Sequence, residues 1–283
     1  MSLQPASGFW MGLAETIPEE KLFLFSQKGI GVMRLAQGAI RLQAGDEKAF
    51  ADLSNRLELD AVFVPATRKL QDFRLLAIDM DSTLVAVETL DELANFAGVK
   101  KEVAEITQKS MAGELDFKKS LLERLSLLQG LSQEHLERVY QERFVLNPGA
   151  ADLVLGLKKK NIPTLLVSGG FTFFAKRVAQ SLGIDFVAAN VLEMKEGRLT
   201  GGVVGEILDG EGKKEALLQV ASRLGAGVEK TIAAGDGAND KPMIEAAGLG
   251  IAWRSKPVLK PFADVVLEHA GLDGILYLFA DSA

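Results

Sequence analysis

Leu75-Leu76-Ala77-Ile78-Asp79-Met80-Asp81-Ser82-Thr83-Leu84 is an apolar run that ends in two carboxylates one residue apart. The run is too short for a helix and is stopped by charge, so it reads as a buried strand. At the carboxyl end of a strand in an open α/β sheet, side chains face the crevice where ligands bind. Two acids there are costly to desolvate, and a divalent cation is the usual offset. The plain alternative gives one Asp a helix to cap and leaves the other solvated. The rest of the chain decides between the two.

Downstream, strands and helices alternate. Pro163–Val167, Phe186–Ala189, Thr231–Ala234 and Leu249–Ala252 read as strands; helices start near Thr172, Lys213 and Asn239. Such alternation with short connections predicts a parallel sheet covered by helices. Val191–Met194 and Leu199–Val204, joined through Glu196-Gly197, read as a β-hairpin. Between the Asp79 strand and Pro163 lie about 80 residues, far more than a crossover needs. Leu90, Leu93, Ala94 and Ala97 follow helical spacing, as do Val103 and Ile106. Asp116 is placed to cap a helix from Phe117, and Ser132 precedes another. This insertion is expected to form a four-helix cap over the strand ends. Before the Asp79 strand, Leu22–Phe25 and Ala61–Val64 look strand-like and Glu47–Leu57 weakly helical. The expected organisation is a small α+β unit at 1–72, a catalytic core at 73–87 and 147–283, and a cap at 88–146.

Two further junctions carry chemistry. Gly235-Asp236-Gly237-Ala238-Asn239-Asp240 follows the strand Thr231–Ala234, so Asp236 is expected beside Asp79 at one sheet edge. Three carboxylates from two strand ends suit Mg²⁺, which binds few carboxylates and keeps positions for water and phosphate. Val167-Ser168-Gly169-Gly170-Phe171 offers a hydroxyl and backbone N–H groups at a strand-to-helix turn, a ready anion site. Lys213 and Lys214 open a helix after Gly210-Glu211-Gly212; either is an ordinary surface lysine unless clustered acids and a phosphate lie beside it.

The 283 residues are 48% hydrophobic and 25% charged, the composition of a soluble globular protein with ample core. A net charge of −6 gives no reason to expect nucleic acid or anionic membrane as a partner. The absence of cysteine excludes thiolate catalysis and disulfides and is compatible with the cytoplasm, the expected location. No apolar stretch is long enough to span a bilayer, and no secretory signal is expected at the first residues. His135 and His269 have no companion at ligand spacing and are expected to be structural.

Together, Asp79–Thr83, Ser168–Gly170, Lys213 and Gly235–Asp240 resemble, in order, the four motifs of the haloacid dehalogenase superfamily. Met111–Phe117, Ser168–Phe174 and Gly235–Pro242 further resemble the phosphoserine phosphatases within it. The likeness runs from about Leu75 to Ala270 and leaves out the amino-terminal unit. It implies an α/β, Rossmann-type core with the helical cap inserted. It also implies that Asp79 is a nucleophile that forms an aspartyl-phosphate, and Asp81 the general acid and then base. Mg²⁺ would be held by Asp79, the Asp81 carbonyl and Asp236. Ser168, the Gly169–Gly170 turn and Lys213 would hold phosphoryl oxygens, with Asn239 and Asp240 in support. In the cap, Glu88 would receive the amino group of O-phospho-L-serine and Arg124 its carboxylate, while Met111 and Phe117 close the pocket. Lys214 replaces Lys213 if the turn aligns one residue differently. The alternatives are another small phosphomonoester, a phosphotransferase reaction, or a ligand sensor on a decayed enzyme fold. The last is disfavoured because every expected catalytic residue is present. Oligomeric state is left open.

Overall fold

The computed structural model describes residues 7–111 and 115–281, the side chains of Ser110 and Met111 excepted. Six strands and helices come first: β1 (Gly8–Leu13), α1 (Glu19–Gln27), β2 (Gly31–Ala36), β3 (Ala39–Ala44), α2 (Glu47–Arg56) and β4 (Asp60–Pro65). The strands form an antiparallel sheet of order β2-β3-β1-β4. Leu22–Phe25, expected to be extended, lies within α1. A short apolar run has no decisive period. Here only Phe25 is fully buried, while Phe23 faces solvent, which is the asymmetry of a helix face.

The larger sheet comprises β5 (Leu75–Ile78), β6 (Thr164–Phe171), β7 (Phe186–Lys195), β8 (Arg198–Val204), β9 (Thr231–Gly235), β10 (Leu249–Trp253) and β11 (Val265–Leu267). Among the described residues its order is β11-β10-β9-β5-β6-β7-β8, parallel except for β8. The helices α7 (Ala150–Lys159), α8 (Thr172–Leu182), α9 (Gly210–Arg223) and α10 (Lys241–Ala246) cover it. Alternation along β5 decides which side chain meets which layer. Leu75 and Ala77 pack with Leu217 and Val220 of α9 and Met243 of α10. Leu76 and Ile78 pack in the opposite cluster, with Leu153 and Leu157 of α7 and Phe174 of α8. From β5 the chain goes to β6 on one side and later to β9 on the other. The order therefore reverses at β5, and ligand crevices open at such a reversal.

The insertion supplies α3 (Thr89–Ala97), α4 (Lys100–Met111), α5 (Phe117–Ser126) and α6 (Gln133–Arg143). Asp116 caps α5 by accepting from Lys119 N–H at 3.1 Å. His135 turns its Nδ1 back onto the Ser132 N–H (3.3 Å), which accounts for it structurally. The two linkers of the insertion are paired: Ala86 N–H donates to Val145 O and Asn147 N–H to Leu84 O, each at 2.9 Å. The β7–β8 hairpin turns through Glu196 and Gly197, both at positive φ, and braces the α5–α6 connection through Gly130 N–H to Leu199 O. The amino-terminal sheet is anchored to the core by the buried Asp60 carboxylate. It accepts from the N–H groups of Glu268, His269 and Ala270 at 2.9, 3.0 and 2.9 Å. No helix among the described residues is long and apolar enough to cross a membrane.

Candidate active site

Three adjacent strands end at one place. The register pairs Ile78 with both Ala234 of β9 and Leu166 of β6. Asp79, Asp236 and Ser168 thereby meet at the same edge. Beneath them sits Lys213, in the first turn of α9, with no exposure to solvent. Its Nζ lies 2.7 Å from Asp79 Oδ1 and 2.7 Å from Asp240 Oδ1. An ammonium has three donors, so one remains for a ligand. Lys214 instead pairs with Glu211 at the surface. Of the two lysines, the fold brings Lys213 to the carboxylates.

Asp240 is fully engaged. Its Oδ1 accepts from Lys213, and its Oδ2 accepts from the N–H groups of Asp236 (3.1 Å) and Gly237 (3.0 Å). Gly235 permits that approach, because a Cβ there would stand 2.4 Å from Asp240 Cγ. Ligand atoms of Asp79, Asp236 and Asp240 lie within 4.8 Å of one another, all buried. Burial, then repulsion from Asp240, raises Asp79 well above the ordinary carboxylate range despite Lys213. The same two causes raise Asp236 to about 6. Burial would lower the Lys213 ammonium, but Asp240 and Asp79 outweigh it and raise it. Three carboxylates against one internal lysine leave the cluster short of positive charge. Hard oxygen donors with a charge deficit fit a divalent cation. Both Asp240 oxygens are engaged, whereas Asp79 binds Lys213 through Oδ1 and Asp236 accepts from the Thr83 hydroxyl through Oδ1 (3.2 Å), so each keeps its Oδ2 to hold that cation.

Asp81 has a separate setting. Its Oδ1 accepts from the Thr89 N–H (2.8 Å) and the Thr89 hydroxyl; its Oδ2 accepts from Ser168 Oγ at 3.1 Å. Burial, then the nearby Glu88, raises it to about 6. Gly170 is needed beside it: a Cβ there would come 2.6 Å from Asp81 Oδ2.

The helix α8 starts at Thr172 as expected, but the strand before it runs on through the Ser168–Gly170 segment, which was expected to be a turn. The Gly170 N–H donates to Ser168 Oγ at 2.8 Å. A break in the β6–β7 register between Ser168 and Phe171 bends the strand where a turn was expected. Buried Asn190 pins it, donating to Gly169 O at 2.8 Å and accepting from Leu208 N–H at 2.7 Å.

Above the edge lies a cavity of about 790 Å³ between core and cap. Asp79, Asp81, Asp236, Asn239, Ser168, Gly169, Gly170, Glu88, Phe117 and Arg124 all line it. Glu88 accepts from Ser82 Oγ (2.9 Å), and the Arg124 Nε–H donates to Ser120 O (3.1 Å). Burial lowers the Arg124 guanidinium, with Asp91 and Glu88 opposing. The side chain of Met111 lies outside the described residues. Sequence reasoning passed over Thr89, Asn190 and Lys256. Lys256 lines the cavity and stands 3.7 Å from Asp236 Oδ2. Its signal was available: a basic residue just past the carboxyl end of a parallel strand.

Residues 76–245 match the family model for haloacid dehalogenase-like hydrolases. The chain is 48% identical over 222 residues to a phosphoserine phosphatase of Albidiferax ferrireducens, covering 77% of this chain and 93% of that one. It is similar to the unliganded structure of a probable phosphoserine phosphatase from Vibrio cholerae, with 32% identity and a TM-score of 0.82 over 100% of this chain and 89% of that one. It is also similar to a phosphoserine phosphatase solved as a phospho-aspartyl intermediate analogue. That likeness has 42% identity and a TM-score of 0.68 over 72% of this chain and 98% of that one. The paired aspartates just past β5, the lysine beneath them and these likenesses agree: the chain belongs to the haloacid dehalogenase-like hydrolases.

Proposed function

We propose that the chain is a phosphoserine phosphatase that converts O-phospho-L-serine and water to L-serine and phosphate. One observation carries the reading. A single cavity joins a carboxylate–lysine cluster at its floor to Glu88 and Arg124 in its wall. The floor suits a phosphoryl group, and the wall suits the ammonium and carboxylate of an amino acid. Relatives of 48% and 42% identity are described as phosphoserine phosphatases, which supports the reading.

In the first half-reaction, an Asp79 oxygen attacks phosphorus in line, forming an Asp79 O–P bond as the serine P–O bond breaks. Asp81 gives its proton to the departing serine oxygen; its carboxyl, raised to about 6, is protonated often enough near neutrality to do so. In the second half-reaction, Asp81 takes a proton from water, the water oxygen bonds to phosphorus, and the Asp79 O–P bond breaks. Lys213 spends its third N–H on a phosphoryl oxygen, beside the Ser168 hydroxyl and the Gly169 N–H. The Ser168 hydroxyl must first leave Asp81, which becomes easier once Asp81 is protonated. Mg²⁺, held by Asp79, the Asp81 carbonyl and Asp236, would neutralise charge on the phosphoryl oxygens. Asn239 supports its water, and Asp240 holds Lys213. Phe117 closes the pocket against water. On this reading 73–87 and 147–283 are the catalytic core, 88–146 the cap that selects substrate, and 1–72 a separate unit. The lack of cysteine suits a cytoplasmic enzyme.

The test is phosphate release from L-phosphoserine with and without Mg²⁺, for wild type, Asp79→Asn and Arg124→Ala. Asp79→Asn is expected to abolish release. Arg124→Ala is expected to impair phosphoserine far more than a small generic phosphoester. A wild type that handles phosphoserine no better than sugar phosphates defeats the substrate assignment.

A further inference from the structure

Lys256 stands apart from the other cations of the site. Lys213 is buried and tied to two carboxylates. Arg124 lies in the cap, where Asp91 and Glu88 oppose the effect of its burial. Lys256 has a fixed backbone and a free head. Its N–H donates to the carbonyl of Asp236 (2.8 Å), and its own carbonyl accepts from Leu259 N–H (3.0 Å), with Leu259 fully buried. Two residues upstream, Arg254 is held at φ +43°, its N–H bonded to Leu267 O at 2.7 Å. Yet the Lys256 side chain is 53% exposed, and Nζ rests 3.7 Å from Asp236 Oδ2, too far for a hydrogen bond. The loop thus aims a solvated positive charge at the outer carboxylate of the site without fastening it.

The cavity needs such a charge. Among the described residues, five carboxylates line it (Asp79, Asp81, Glu88, Asp91 and Asp236) against two lining cations, Arg124 and Lys256, with Lys213 beneath. An incoming phosphate dianion meets a negative field. We propose that Lys256 is a positioning residue that trades cation affinity for phosphate affinity. Its ammonium opposes the divalent cation at Asp236 and favours the phosphoryl group that binds afterwards. This rests on the phosphatase reading above. Charges of +2 and +1 about 5 Å apart in a hydrated, salt-screened cleft change affinity by about three- to tenfold.

The experiment is calorimetric titration of Mg²⁺, then of inorganic phosphate at saturating Mg²⁺, into wild type, Lys256→Met and Lys256→Arg. KM and kcat for L-phosphoserine are measured in parallel. For Lys256→Met, the Mg²⁺ Kd is expected to fall about three- to tenfold, while the phosphate Kd and KM rise by a similar factor. kcat stays within about threefold, and Lys256→Arg restores both affinities. A merely structural loop residue would weaken both ligands together. Affinities that move in the same direction, or do not move, overturn the proposal. Failure of the substrate reading would show separately, as a wild type that binds Mg²⁺ and phosphate but does not turn over phosphoserine. The side chain is exposed enough for Lys256→Met to fold; Lys256→Gln provides a second neutral variant with the same expected signature.

Discussion

Replacing Lys213 by methionine keeps the length of the side chain and removes its charge and donors. In the folded protein that ammonium makes two hydrogen bonds of 2.7 Å to carboxylates and has no solvent contact. Hydrogen bonds to charged groups contribute about 1.5–3 kcal/mol each, so two give about 3–6 kcal/mol. Removing one partner of a buried ion pair independently suggests about 3–5 kcal/mol, because the other charge is left unpaired. Lys213→Met is therefore expected to lose about 4 kcal/mol in urea unfolding at pH 7.5 with chelator present. Mg²⁺ at about 100 times its Kd should return about 2.7 kcal/mol, since a divalent cation supplies the missing charge. Phosphate release with Mg²⁺ should still fall by about 10²–10³, the usual cost of losing one donor to a developing oxyanion. Lys214→Met, on the surface beside Glu211, should change stability by less than about 0.5 kcal/mol. A Lys213→Met protein within about 1 kcal/mol of wild type in chelator would refute the reasoning. So would equal damage from Lys214→Met.

Stability without metal should also depend on pH in an unusual direction. Asp81 and Asp236 titrate at about 6 in the folded state, raised by burial and by neighbouring carboxylates. Their unfolded values are about 3.9, so the folded state binds protons more tightly and stability is lost as pH rises through 6. Between pH 5.5 and 7.5 the two groups together cost about 1.5 kcal/mol, roughly 3 °C in Tm for a chain of this size. Differential scanning calorimetry in chelator should show that decline, and saturating Mg²⁺ should flatten it; a rise in Tm over the same interval would contradict the assigned burial. Gly170→Ala places a methyl 2.6 Å from Asp81 Oδ2, pushing the proposed acid aside. A misplacement of this size costs on the order of 10²-fold in kcat. Steady-state kinetics at unchanged Tm would check it, and an unaltered kcat would mean that Asp81 does not need that position.

The β5 run and its two acids, the glycine-flanked acids after β9 and the hairpin at Glu196-Gly197 were legible from local pattern alone. Each is a strand whose apolar run stops at charge or glycine, and that signal is local. The helical insertion was legible for the same reason, through spacing and the Asp116 cap. Other features were set by contacts distant in sequence. Leu22–Phe25 joined a helix because only Phe25 found a core to enter. Ser168–Gly170, expected as a turn before the Thr172 helix, stays in strand β6 because it pairs on with β7 across a register break. Lys213 and Lys214 are neighbours of identical type, and no sequence rule separates them. α9 rotates one toward Asp79 and Asp240 and the other toward solvent.

What the sequence by itself determined was the inventory: two acids after one strand, one after another, a hydroxyl and glycines after a third. Their meeting at one edge was decided by strand order. β6 and β9 flank β5 although 85 and 152 residues of chain lie between them and it. The charge balance was likewise decided only in three dimensions. Carboxylates that would be ordinary in water are raised by burial and by one another. A lysine with no solvent contact and a half-exposed one, Lys256, then compensate them unequally. Desolvation and distance set those energies, and neither is written in the order of residues.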